Sequence, residues 1–260
     1  MAQDSFAAGA SRFEVGRVIS TSLAVLMRNL VPFGIISLLI GIPYFIINFW
    51  AASTFGEFQA DVATGVERQG GVSGIFGMVG IGLIVFMLTN TLTQAAINYG
   101  TFQDLRGQRA SFGDCLGRGL AMLPKVVVAA ILASIGIGIG SMLLLIPGII
   151  LSLMWWVFVP AIVVENAGIT DSLGRSSSLT SGHRWGIFGL LFLVGVAQGL
   201  VGFVAGLIGS IGGTVLSQIL DILVTVVFIA FTSVMTAVGY YYLRAEKEGI
   251  QIDDIARVFD

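Results

Sequence analysis

Long apolar runs alternate with short polar segments along this chain. Six of these runs are long enough to form membrane-spanning helices, at about 30–52, 74–98, 125–146, 148–165, 186–208 and 215–243. About 20 helical residues cross a hydrocarbon core roughly 30 Å thick. The pattern therefore predicts an all-α fold, a polytopic bundle of six transmembrane helices. Pro147 and Gly148 interrupt the apolar sequence between the third and fourth runs, which predicts a helical hairpin there.

Composition agrees with this pattern. The chain is 56% hydrophobic and only 11% charged, and its mean hydropathy is +0.95. A typical soluble domain is about 25% charged. We therefore expect one integral membrane domain over residues 1–260. The first 29 residues contain Glu14 and three arginines and no small-residue cleavage site, so they do not look like a signal peptide.

The basic residues predict the orientation. Of the thirteen Lys and Arg residues, all but Arg68 fall before the first run, after the second, after the fourth or after the sixth. The positive-inside rule then predicts that both termini lie in the cytoplasm. The opposite side is left with one sizeable loop at 53–73, which contains Glu57, Asp61 and Glu67, and two tight turns.

A short motif recurs before the apolar hairpins. It reads DCLGR at 114–118, DSLGR at 171–175 and, more weakly, EVGR at 14–17. Because each copy lies on the predicted cytoplasmic side, the chain divides into three parallel repeats related by an axis along the membrane normal. Each repeat is an interfacial helix followed by a transmembrane hairpin, at about 11–100, 111–166 and 168–243. A short cytoplasmic tail, 244–260, follows.

The motif places an acid before a basic residue at helical spacing. Asp114 with Arg118, and Asp171 with Arg175, are i,i+4 pairs in the favoured order, and Ser111 with Asp114 resembles a capping box. In the first unit an apolar face opposes a polar one, so this helix is expected to lie flat in the interface. The apolar face consists of Val15, Ile19, Leu23, Leu26 and Leu30, and the polar face of Glu14, Arg17, Thr21 and Arg28.

Two interpretations of the motif stay open. The pairs either anchor and orient the helices, or form a cytoplasmic docking surface for lipid head groups or a protein partner. Three arginines at phosphate depth, Arg17, Arg118 and Arg175, would attract anionic lipids such as cardiolipin or phosphatidylglycerol.

Glycine and polar residues mark particular faces of the predicted helices. The spacing of Gly195, Gly199, Gly202, Gly206, Gly209 and Gly213 predicts close helix packing, with a glycine-lined passage as the alternative. The sequence GIGIG at 136–140 suggests a second such face. One polar stripe consists of Asn90, Gln94 and Asn98, and another of Thr214, Gln218, Asp221, Thr225 and Thr232.

Asp221 stands out in the second stripe, because an ionisable residue inside a membrane helix suggests a functional site. The side chains of the two stripes either form hydrogen bonds between helices or line part of a path for a solute.

Several function classes find no support in the sequence. The single Cys115 cannot form an internal disulfide, and with the single His183 it gives no metal-ligand cluster. No nucleotide-binding loop, hydrolase elbow or zinc motif occurs, so we expect no cofactor and no enzyme activity. The net charge of −2 argues against nucleic acid as a partner.

The segment at 146–185 resembles a pattern in bacterial YciC-like inner-membrane proteins. It reads IPGIILSLMWWVFVPAIVVENAGITDSLGRSSSLTSGHRW. It also resembles the membrane domain attached to some glycerophosphodiester phosphodiesterases. The similar features are Pro147-Gly148, the aromatic helix, Pro160, Glu165, Leu173, Arg175-Ser176, Leu179 and Gly182. The segment YYYLRAEKEG at 240–249 is similar to the closing segment of the family. The resemblance implies a polytopic bacterial inner-membrane protein without a settled activity. It places Glu165 at the inner end of the fourth helix, where we expect it to cap or to pair with Arg175 or Arg184.

These observations favour a non-catalytic inner-membrane scaffold that associates with lipids or a partner. The alternative is a transporter of a small amphipathic or lipid-like solute, and an intramembrane lipid enzyme is a third, weaker hypothesis. A continuous polar cavity that reaches Asp221 would favour the transporter.

Overall fold

The computed structural model describes residues 13–64, 71–109 and 111–249, and within these ranges it is built from eight α-helices without strands. Arg12, Glu67, Arg68, Gly70 and Arg257 lie outside the described residues. The helices are α1 (Val15–Arg28), α2 (Leu30–Thr64), α3 (Gly71–Leu105), α4 (Phe112–Leu143), α5 (Leu145–Met154), α6 (Phe158–Glu165), α7 (Ile169–Thr180) and α8 (Arg184–Glu248).

Six segments are long and apolar enough to cross a membrane. Helix α8 contains two of them, because Gly213 has φ 82° and ψ 178°, a conformation that favours glycine. The chain reverses there, since a Cβ on Gly209 would lie 2.5 Å from that of Ser217. The predicted fold class, an all-α polytopic helix bundle, is confirmed. The six segments are Leu30–Ala51, Gly77–Leu105, Phe112–Leu143, Leu145–Glu165, Arg184–Gly213 and Val215–Glu248.

The second hairpin turns at Leu144, three residues before the predicted break. Leu144 is extended, at φ −158° and ψ 142°. Pro147 lies in the first turn of α5, where its missing N–H leaves no intrahelical hydrogen bond unmade. Gly148 closes the hairpin, because a Cβ there would lie 1.9 Å from Oγ of Ser141.

Two predicted boundaries were wrong. The expected loop at 53–73 is largely helical, because α2 continues to Thr64 and α3 begins at Gly71. Residues 244–248, expected in a tail, form the last turn of α8, and Arg244 is only 8% exposed. The apolar pattern ends before these residues, whereas the helix continues because the charged side chains have partners in the bundle.

Helix α1 buries only part of the predicted apolar face: Leu26 is buried, and Val15 and Ile19 are partly buried against the core. Val18, Ser22 and Val25 are fully buried, while Leu23 is 47% exposed. The hydroxyls of Thr21, expected on the polar face, and Tyr242 in α8 are 2.9 Å apart. Packing against α8 thus determines which face of α1 is buried. The helix is held by contacts with the bundle as well as by the membrane interface.

The motif helix is a separate element in two of the three units. Helices α1 and α7 are distinct from the spans that follow them, whereas α4 runs without interruption from the DCLGR motif into its membrane segment. The relation of the three units by rotation stays a prediction.

Helix α3 is central in the bundle and packs against α2, α4, α6 and α8. Small residues permit this: Gly119 of α4 lies against the backbone of Ala96, and Gly100 lies between Phe33 and Cys115. The C-terminal half of α8 completes the core, and its residues Val234, Met235 and Leu243 are fully buried.

Both ends of the described chain meet at one end of the bundle, which we call the terminal face. The backbone N–H of Phe13 donates a hydrogen bond to Oε2 of Glu246 at 2.7 Å. All Lys and Arg residues of the described ranges belong to segments at or near this face, namely Arg17, Arg28, Arg106, Arg109, Arg118, Lys125, Arg175, Arg184, Arg244 and Lys247.

Candidate functional site

A cluster of charged side chains joins three helices at the terminal face. Glu165 is the last residue of α6, Arg175 lies in the middle of α7, and Glu248 ends α8. Nε of Arg175 lies 3.1 Å from both carboxylate oxygens of Glu165, and its Nη2 lies 2.9 Å from Oε1. Arg175 also donates to Glu248. The pairing of Glu165 with Arg175, one of two that we expected, is present.

Helix α8 supplies the other half of this cluster. Nε of Arg244 donates to Oε2 of Glu248 at 2.8 Å, and Nη1 of Arg244 lies 3.5 Å from Oε1 of Glu165. The hydroxyl of Tyr240 donates to the same oxygen of Glu165. We call Glu165, Arg175, Tyr240, Arg244 and Glu248 the terminal ion cluster. Its two carboxylates balance its two guanidiniums, so it adds no net charge to the core.

The geometry also determines the charge state of Arg175. Burial by itself lowers the pKa of the guanidinium, but hydrogen bonds and attraction from Glu165 and Glu248 outweigh burial and leave the pKa above its ordinary value. A raised arginine pKa contributes stability at every pH below the ordinary value. Arg175 therefore stays charged throughout the physiological range.

Helix α7 also supplies hydrogen-bond partners where the helix of the fourth membrane segment is interrupted. Between α5 and α6 the helical hydrogen bonds are interrupted at residues 155–157. The N–H of Val157 donates to Oγ of Ser176 at 3.1 Å, and this hydroxyl donates to the carbonyl of Met154 at 2.8 Å. Oγ1 of Thr180 donates to the same carbonyl at 3.2 Å. The serine-rich sequence of α7 thus satisfies backbone groups that lipid could not.

A second cluster ties the end of α1 to the end of α3. Nε of Arg28 lies 3.2 Å from Oδ2 of Asp104, and Nδ2 of Asn29 donates to Oδ1 at 2.8 Å. Arg28 was expected on the polar face of α1, and the structure pairs it with Asp104.

A third set of contacts brings the start of the described chain to α8. Nε2 of His183 lies 3.4 Å from Oε1 of Glu246, and the ring of Phe13 lies 5.5 Å from that of His183. Lys247 donates to the backbone of Ser178. The end of α8 therefore contacts both α7 and the residues that precede α1.

The motif residues do not occupy equivalent environments. Arg17 pairs with Glu14 at 3.3 Å, and Arg118 donates to the carbonyl of Val163 at 3.5 Å. Asp171 is exposed, and the expected Asp171–Arg175 ion pair does not form between these two described residues, because Glu165 and Glu248 bind Arg175.

The other copy departs from expectation as well. Asp114 is exposed. Ser111 is the N-cap residue of α4, but its side chain makes no capping hydrogen bond, so the predicted capping box is wrong.

The polar stripe of α3 lies partly inside the bundle. Nε2 of Gln94 donates to Oδ1 of Asn90 at 3.2 Å. Asn98 is fully buried, and neither its amide oxygen nor its amide nitrogen has a hydrogen-bond partner among the described residues. Asn98 precedes by one turn Phe102, whose ring packs edge-on against Tyr240 at 5.8 Å.

The stripe of α8 lies elsewhere. Asp221 is exposed and Gln218 half-buried, and the side chain of Thr214 lies outside the described part. Asp221 is roughly 28 Å from Tyr240 along α8, nearly the thickness of the hydrocarbon core. If Tyr240 marks one boundary of the membrane, Asp221 lies close to the other. Asp221 is therefore far from Asn98, which lies one turn from Phe102 beside Tyr240, and these two residues do not form one site.

The glycines of the fifth run do not pack as predicted. A Cβ on Gly195, Gly199, Gly202 or Gly206 would meet no described atom within 4 Å, and of the six glycines in the predicted pattern only Gly209 approaches the other half of the hairpin in the described structure. Close approach occurs instead in the second hairpin. A Cβ on Gly136 would lie 2.6 Å from the ring of Trp155, and one on Gly140 would lie 2.9 Å from Leu151.

Sequence reasoning missed several members of these clusters, among them Asp104, Tyr240, Arg244 and Glu248. One available signal was the spacing of Tyr240, Arg244 and Glu248, which share a helical face at i, i+4 and i+8. No comparable signal links Asp104 to Asn29 across the intervening hairpin.

These clusters pair acidic with basic side chains, as ion pairs that stabilise a fold do. Within the described ranges, no three His, Cys, Asp or Glu side chains come together in a way that could hold a metal ion. Comparison of the chain with protein-family models, with curated proteins and with solved structures gives no match. The YciC-like resemblance therefore stays a prediction.

Proposed function

We propose that this chain is a non-catalytic scaffold of the bacterial inner membrane that associates with anionic lipids or a protein partner. Both termini lie in the cytoplasm in this proposal, and the terminal face is the associating surface. The observation that carries the proposal is the concentration of the described Lys and Arg residues toward that face. Basic residues at one side of a multi-pass membrane protein favour the retention of that side in the cytoplasm.

The two kinds of basic residue at this face have different tasks in the proposal. Arg175 and Arg244 are held in the terminal ion cluster and stabilise the fold. Arg17 and Arg118 belong to α1 and α4, where each is partly exposed. These two arginines are the candidates for contact with lipid phosphates, and Arg175 leaves the set of three that the sequence suggested.

Native mass spectrometry with phosphatidylglycerol and cardiolipin tests this assignment. A basic residue near an anionic surface contributes about 1 kcal/mol, so Arg17→Gln with Arg118→Gln should weaken retention by about 2 kcal/mol, or about 30-fold. Ser210→Gln, at the opposite end of the bundle, is the control and should retain lipid as the wild type does. Proteins that co-purify are compared in the same samples, since an acidic partner would use the same surface. Equal retention of lipids and proteins by all three chains would contradict the proposal.

The transporter alternative has one supporting observation: the amide of Asn98 is buried near Asn90 and Gln94 and has no hydrogen-bond partner within the described ranges. Asn98→Cys in a Cys115→Ala background separates the two functions. Reaction of that cysteine with a small water-soluble thiol reagent would reveal a hydrated path and favour transport. The scaffold proposal predicts no reaction.

A further inference from the structure

An apolar groove opens between α1 and the two halves of α8. The halves meet near Gly213 and then separate, and α1 contributes side chains to the space between them. The cavity has a volume of about 310 Å³ and is lined by Ile19, Leu23, Leu26, Leu193, Val194, Ala197, Val227, Phe228 and Phe231.

The lining decides the chemistry of the occupant. Every lining side chain is apolar, so the groove offers no side-chain partner to a charged or hydrogen-bonding solute. Leu23, Leu193 and Val227 are each about half exposed, at 47%, 52% and 46%, so the groove is open at its side. Its α8 residues belong to the two last membrane-length segments. The groove therefore opens toward the apolar interior of the bilayer.

A hydrocarbon chain suits this groove. A single acyl chain is thin, flexible and wholly apolar, so it can enter a space of about 310 Å³ that is lined by apolar side chains and open at its side.

Depth connects the groove to the terminal face. Phe231 is roughly 14 Å from Tyr240 along α8, about half of a 30 Å hydrocarbon core. A lipid whose head group lies at the terminal face would therefore reach the groove with the distal part of a tail. The concentration of basic residues near that face complements an anionic head group.

We propose that the groove binds one acyl chain of a membrane phospholipid from the leaflet at the terminal face. This inference deepens the proposed lipid association, because it assigns a site to the tail and leaves Arg17 and Arg118 to the head group. Binding of the tail depends on the shape of the groove and not on the charge of the lipid.

Photocrosslinking of the full chain in vesicles tests the site. The probe is phosphatidylcholine with a diazirine on one acyl chain, diluted into vesicles of phosphatidylcholine or of phosphatidylglycerol. We expect crosslinks at groove positions to exceed those at Phe192 and Phe203, which are 64% and 66% exposed and do not line the groove. Uniform labelling of all lipid-facing positions would overturn the proposal.

A filled groove supplies the matched comparison. Ala197→Trp should abolish the excess labelling, and the neighbouring Val196→Trp, outside the groove, should preserve it. Ala197→Leu serves as a milder variant should tryptophan prevent folding, and it should reduce the labelling. Unchanged labelling in a folded Ala197 variant would overturn the groove.

The two lipid proposals can fail separately. Groove labelling should be equal in phosphatidylcholine and phosphatidylglycerol vesicles, whereas head-group binding requires the anionic lipid. Loss of groove labelling with phosphatidylglycerol retention intact would overturn the groove alone. Groove labelling without preferential retention of phosphatidylglycerol in native mass spectrometry would overturn the head-group assignment alone.

Discussion

The guanidinium of Arg175 binds the carboxylate of Glu165 through Nε and Nη2, at distances of 3.1 and 2.9 Å. This pair joins α7 to the end of α6, and Glu248 extends it to the end of α8. A charge-assisted contact through two nitrogens fixes orientation as well as distance. The motif that recurs along the chain therefore has, in its third copy, the task of locking three helices together.

Loss of the Glu165 carboxylate should destabilise the protein. Removing one partner of a fully buried ion pair costs about 3–5 kcal/mol, and the side chains of Glu165 and Arg175 are 20% and 27% exposed, so we expect about 2 kcal/mol for Glu165→Gln. In a protein of this size that lowers the melting temperature by about 4–8 °C. Asp171→Asn removes an exposed carboxylate from α7 and should have a much smaller effect. Equal melting temperatures for the two variants would show that the cluster does not stabilise the fold.

Ser176→Ala should loosen the break between α5 and α6. The hydroxyl accepts from Val157 and donates to Met154, and leaving buried backbone groups unpaired costs about 1–3 kcal/mol. Hydrogen–deuterium exchange should become faster at the amide of Val157. Ser178→Ala, on the exposed side of the same helix, is the control and should leave that exchange rate unchanged. Unaltered protection of Val157 in Ser176→Ala would mean that the hydroxyl is not its partner.

Glycine substitutions should have opposite outcomes in the two hairpins. A Cβ on Gly148 would collide with the backbone and side chain of Ser141, and such overpacking costs about 1–3 kcal/mol. Gly202 has open space around it, so Gly202→Ala should be neutral or slightly stabilising through helix propensity. Thermal unfolding of the two variants in the same detergent measures the difference. A larger loss for Gly202→Ala would restore the close packing that the glycine spacing first suggested.

The membrane segments could be predicted because an apolar run of sufficient length leaves few alternatives to a spanning helix. The polar partners could not, because they depend on contacts between distant parts of the chain. Glu165 and Tyr240 are neighbours only after α6 and α8 have packed. Arg244 was assigned to a tail since the apolar pattern stops at 243, yet Glu165 and Glu248 allow the helix to carry that charge into the bundle.

The glycine pattern shows a different limit. Spacing identifies the face on which small residues lie, but it does not identify the surface that meets them. Gly136 and Gly140 lie against α5, while Gly199 and Gly202 meet no atom of the described chain. The buried face of α1 was predicted only in part for a similar reason, because packing against α8 decides which of its apolar residues are buried.

We propose a six-span protein whose basic terminal face lies in the cytoplasm. Cysteine labelling in intact cells tests this orientation. Cys115 is buried, so it is replaced by alanine, and single cysteines are introduced at Asp171 and Ser210, both exposed and at opposite ends of the bundle. We predict that a membrane-impermeant thiol reagent labels Ser210→Cys in intact cells and Asp171→Cys only after permeabilisation. Labelling of Asp171→Cys but not of Ser210→Cys in intact cells would show the opposite orientation.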